Sequence, residues 1–132
     1  MALNPAFAAT PRCALAQVVT ANAARDGSGT VVTVFTAGAS GSRIDAISVK
    51  AVGVTTAGMV RLFINDGTNT RLLTEVPVRA KTPAATLPAE ETHLSLGNLS
   101  QILPLILPTG YSLVASTEKT ETFNILAFGG NY

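Results

Sequence analysis

From residue 14 to residue 128 the chain alternates apolar and polar positions in short runs, with turn residues between them. Side chains of an extended strand point alternately to opposite faces, so a period of two marks strands that bury one face. Residues 14–20 (ALAQVVT) are the first run. Residues 30–36 (TVVTVFT) are the second, rich in β-branched residues that fit a pleated surface. Between them lies NAARDGSG, where Asp26-Gly27 and Gly29 supply left-handed turn positions. The loop AGASGS leads into residues 43–54, which place Ile47, Val49 and Ala51 on one face and Ser48 and Lys50 opposite.

Residues 59–66 put Val60, Leu62 and Ile64 on one face and Arg61 on the other. After the turn NDGTNT, Leu72, Thr74, Val76 and Val78 alternate with Arg71, Glu75 and Arg79. Asp66-Gly67 is a strong hairpin signal, because glycine takes a positive φ without steric cost. Pro77 has no N–H for a ladder, so its side of the strand is an edge or faces a bulge. Residues 81–92 (KTPAATLPAEET) read as a loop and residues 93–99 as a short strand. In QILPLILPTG, residues 101–110, Pro104 stands against a helix, and Pro108-Thr109-Gly110 turns the chain into a strand over 111–117. A polar turn at 118–121 precedes the closing strand 123–128, beyond which Gly129, Gly130 and Asn131 fray.

About eight short strands without a helix predict an all-β fold. Only two packed sheets bury so many apolar faces in so few residues. Antiparallel strands joined by long crossing loops suit a jelly-roll-like β-sandwich better than an up-and-down barrel. Residues 1–13, with Pro5 and Pro11 and no sustained period, read as an extended N-terminal arm. Residues 14–132 read as a single sandwich domain.

Composition sharpens this picture. Of 132 residues, 47% are hydrophobic and 13% charged, well under the usual quarter, so either the core takes a large share of the chain or a partner covers apolar surface, and a chain this short suggests some of both. Mean hydropathy, at +0.37, points the same way. Charges, prolines and glycines interrupt every apolar run short of the roughly 20 residues a spanning helix needs. The N-terminus lacks a basic residue ahead of its apolar part, which argues for an arm over a secretion signal. A net charge of +1, spread over nine basic and eight acidic residues, gives no footprint for nucleic acid. Cys13 is the sole cysteine, which excludes an internal disulfide, suits a reducing cytoplasm and reads as a buried or inert thiol.

Candidate chemistry is sparse. His93 is the single histidine and has no second His or Cys at ligand spacing, so no metal is expected. DGSGT at 26–30 has the glycines of a phosphate loop, but it lacks the lysine and leads into a strand. Asn65-Asp66-Gly67 lacks the alternating oxygen ligands of a calcium loop. Glu90-Glu91 and the Glu118/Glu121 pair read as solvated loop acids. Asn98-Leu99-Ser100 matches the glycosylation pattern, which carries weight only in a secreted chain. With no nucleophile elbow, the chain reads as a non-enzyme without a cofactor.

Two features do call for explanation. Leu3, Phe7 and Cys13 make the arm apolar, and Ile102, Leu103, Leu105, Ile106 and Leu107 cannot all face one core in a period-two strand. Phe63, Leu73 and Phe128 also fall opposite the main apolar set of their strands. Either these residues bind another chain, or the arm packs on its own domain and they thicken its core.

The segments SGSRIDAISVKAVGVTTAGMVRLFINDGTNTRLLTEVPV and LPTGYSLVASTEKTETFNILAFGG resemble small proteins encoded among the structural genes of tailed bacteriophages. Within that group the chain looks most like capsid decoration, or cement, proteins with a jelly-roll fold. The resemblance implies a structural virion protein, made in the bacterial host cytoplasm and bound to the capsid exterior. It would cement subunits of the major capsid protein and associate with itself as a homodimer or homotrimer, with no nucleic acid or membrane as partner. A tail or baseplate component, or a receptor- or carbohydrate-binding sandwich, is the alternative.

Overall fold

The computed structural model describes residues 9–95 and 102–132. Among these residues the chain forms nine strands and no helix: β1 (Thr10–Val18), β2 (Val32–Thr36), β3 (Ser42–Ala51), β4 (Gly58–Asn65), β5 (Thr70–Val78), β6 (Glu91–Ser95), β7 (Leu105–Leu107), β8 (Ser112–Thr117) and β9 (Phe123–Asn131). The first sheet runs β1-β9-β3-β6, with β7 also on β3, and the second runs β2-β8-β4-β5. All pairings between these strands are antiparallel.

The pairs β1–β9, β2–β8, β3–β6 and β4–β5 nest inside one another. The chain is therefore one long hairpin with its tip at residues 66–69, rolled so that successive pairs fall alternately into the two sheets. Pairing of β3 with β9 and of β4 with β8 then completes each sheet. That is the jelly-roll arrangement. At the tip, Gly67 holds φ at +97° and the Asp66 carboxylate accepts the backbone N–H groups of Thr68 and Asn69. Asp66-Gly67 acts there as the turn its residue types predict.

Inward side chains of both sheets fill one core, with Ile44, Ile47, Val60, Leu62, Leu113 and Ile125 almost wholly buried. Each such side chain is worth about 1.5–3 kcal/mol of transfer free energy, offset by the entropy of ordering the chain. Three bulges tune which residues reach it. In β3, Ile44 pairs with Gly129 and Ala46 with Phe128, so Asp45 is the extra residue. Ile44 and Ile47 thus both point inward although three positions apart. The partner there must be glycine, since a Cβ on Gly129 would lie 1.8 Å from the Arg43 carbonyl oxygen.

Opposite β4, Leu73 is the extra residue, and it packs against the core while Leu72 turns outward. The period-two reading of that strand, which put Leu72 inside, is corrected by the bulge. A third register shift in β2 lets Val34 and Phe35 both enter the core.

Three boundaries also move. β1 begins at Thr10, so residues 10–13 belong to the sheet and not to an arm. Residues 129–131 do not fray, because β9 is paired along both edges. β6 occupies Glu91–Ser95, and the rest of the strand expected over 93–99 lies outside the described residues. The expected edge at Pro77 is present, as β5 ends the second sheet.

Candidate functional site

Each sheet has an outer face, and the two are treated differently. On the second sheet, Arg61 and Phe63 of β4 point away from the core yet are only 2% and 0% exposed. The β1–β2 connection covers them. Its Asn22 N–H donates to the Thr117 carbonyl on β8, and Arg25 Nε lies 2.6 Å from Glu75 Oε1 on β5. Gly27, at φ +86°, passes so close to Thr70 that a Cβ would meet it at 2.7 Å. Asn22 Nδ2 holds the loop's shape by donating to the Ser28 and Thr30 carbonyls.

The segment thus spans from β8 to β5 over β4. Beneath it, Arg61 Nε donates to the same Glu75 oxygen at 2.8 Å. Hydrogen bonds from Arg25 and then Arg61 hold the Glu75 carboxyl below its ordinary value. Nothing in the period-two pattern reveals this lid, because it is made by a loop.

The first sheet's outer face lacks such a lid among the described residues, and its register sets out three cross-strand rows. Cys13, Phe128, Ala46 and Ser95 form one, running from β1 to β6. Leu15, Leu126, Ser48 and His93 form the next. Gln17, Asn124, Lys50 and Glu91 form the third. The face is therefore apolar toward β1 and polar toward β6. Leu15 is 73% exposed and Phe128 39%.

Across the polar part, Gln17 Nε2 donates to Asn124 Oδ1 at 2.9 Å, and Lys50 Nζ lies 3.1 Å from Glu91 Oε2. His93 Nε2 stands 3.6 Å from that same carboxylate, in an edge strand. A shallow depression of about 400 Å³ opens between Leu15, Gln17, Asn124 and Leu126. Arg12, the one charge on β1, points the other way, donating to Thr36 O and lying 4.0 Å over the Phe35 ring.

The residues expected to bind another chain meet different fates. Cys13 is exposed on the apolar rows, which corrects the buried half of its reading as a buried or inert thiol. Phe63 is corrected the opposite way, since it is wholly buried within its own chain. Leu107 is fully and Leu103 almost fully buried in their own core, so neither can bind a partner. Leu73, Ile102 and Leu105 pack partly against that core. Ile106 alone of its run is exposed, at 52%. A three-residue strand on β3 thus sorts the apolar run between core and surface. Leu3 and Phe7 lie outside the described residues.

No group of three or more His, Cys, Asp or Glu able to hold a metal occurs among the described residues. Leu15 and Leu126 complete the apolar rows and escaped the sequence reading. Their signal was present, since Leu15 and Leu126 lie one position out of phase with the buried set of their strands. No protein-family model matches the chain, and no curated protein matches its sequence.

Proposed function

We propose that the protein is a structural virion component that binds the outside of a phage head, cements major capsid protein subunits and associates with itself. The observation that supports this reading is the contrast between the two outer faces. One is covered by the chain's own loop, and the other offers apolar rows beside the β1 edge, which has no neighbour but β9 in its sheet among the described residues. A partner that buries Cys13, Leu15, Leu126 and Phe128 gains transfer free energy over a preformed, rigid surface. A jelly roll serves many functions, so the argument rests on this face and not on the fold.

Co-sedimentation with empty phage heads tests the reading. Saturable binding at a fixed ratio to the capsid protein supports it. Absence of binding to heads would overturn it and move the assignment to a tail or receptor-binding component.

A further inference from the structure

We infer that a second copy of this chain adds to the edge of β1 away from β9, pairing β1 with β1 antiparallel about a two-fold axis at Ala14. The inference rests on the self-association in the reading above and not on its capsid contact.

Exposed sheet edges invite pairing unless charge, proline or shortness protects them. The edges of this sandwich are not equally protected. β5 carries Arg71, Glu75 and Pro77. β2 has five residues, and β6 carries Glu91 and His93 among its described residues. β1 has nine residues, and its outward side chains are Pro11, Cys13, Leu15 and Gln17. Its one charge, Arg12, is held over Phe35 inside the sandwich mouth. Among the described residues β9 is its only neighbour in the sheet.

The β1 edge is also complementary to itself. Centred on Ala14, an antiparallel register pairs all nine residues, from Thr10 against Val18 to Val18 against Thr10. Cys13 then faces Leu15 of the second copy, and Arg12 faces Ala16, so no like charges meet. Every opposed pair shares a face, as the pleat requires. Within one copy Leu15 is level with Leu126, and Cys13 with Phe128. Across the axis the row Leu126–Leu15 runs on into Cys13–Phe128 of the second copy, and the reciprocal row does the same. Two short apolar rows become one patch spanning both copies. Pro11 lacks an N–H and sits near the end of the strand, so it removes at most one ladder bond per copy.

Light scattering on the full chain at tens of micromolar should give twice the 13.5 kDa of one chain. Leu15→Lys puts an ammonium on the free face of an edge strand and should return the mass to that of one chain with an unchanged circular dichroism spectrum. Leu15→Cys places a thiol opposite Cys13 of the second copy. Oxidation with copper phenanthroline should then give a covalent dimer whose peptide map joins position 13 of one copy to position 15 of the other.

A wild-type mass of one chain overturns the inference, as does a dimer indifferent to Leu15→Lys. It is also overturned if the amides of β1 lose protection from hydrogen exchange in a monomer only when residues 1–8 are removed. In that case the chain's own terminus covers the edge. Binding of heads by a monomeric wild type would overturn the pairing and leave the capsid reading standing. A dimer that ignores heads supports the pairing and overturns the capsid reading.

Discussion

Phe63 and Phe128 both lie on the outer face of a sheet, and their surroundings differ completely. Phe63 is wholly buried on the sheet that residues 19–31 cross, whereas Phe128 stands 39% exposed beside Leu126 and Cys13. The sheet pattern treats the two alike; the connection above the sheet separates them. An aromatic residue out of phase with the core is therefore ambiguous until the loops are placed. One such residue belongs to a second, smaller core and the other to an exposed sheet face.

The largest expected effect breaks this comparison on the covered side. Phe63→Ala removes a wholly buried ring and should cost about 3–5 kcal/mol in denaturant unfolding. Phe128→Ser should change stability by about 1 kcal/mol or less while weakening binding to heads. Equal losses would mean that both faces are core. Gly129→Ala comes next, since its Cβ would strike the Arg43 carbonyl at the β3 bulge. It should destabilise by more than the ~1 kcal/mol typical of point substitutions. An unchanged melting temperature would contradict the bulge geometry.

Acid sharpens the comparison further. Glu90, nearly buried, accepts from the Arg79 N–H and guanidinium and from the Glu91 N–H, and these bonds hold its carboxyl down at about 2. A lowered folded value means the unfolded chain takes up the proton first. The contribution is full above the ordinary 4.5 and is lost as pH falls from there through about 2. Glu90→Gln should flatten the fall in stability over that window, and an unaltered profile would exclude the pair as its source.

The smallest effect is Arg25→Ala, which loosens the lid at one exposed ion pair. Hydrogen exchange should quicken at residues 22–30 and stay unchanged in β1 and β9. Faster exchange throughout would show that the lid is not a separate unit.

Much of this architecture was legible in the chain. Period-two runs located the strands, and Asp66-Gly67 located the hairpin tip. The bulges at Asp45 and Leu73 were hidden, because a strand's own residues do not state which partner residue is skipped. The pairing of Gly129 and Gly130 was hidden for a related reason, since glycine's value there lies in close approach to another strand. Burial of Arg61 beside Glu75 depends on a loop anchored on two other strands. The exposed face was half legible. Cys13 and Phe128 stand out in the sequence, whereas Leu15 and Leu126 sit inside short apolar runs whose inward phase is set by the partner strands.

Side-chain footprinting by hydroxyl radicals, with and without empty phage heads, tests the central claim most directly. The account expects Leu15, Leu126 and Phe128 to become protected on binding, with residues 19–31 unaffected. Protection of the lid, with the β1 and β9 side chains still open to labelling, would contradict it.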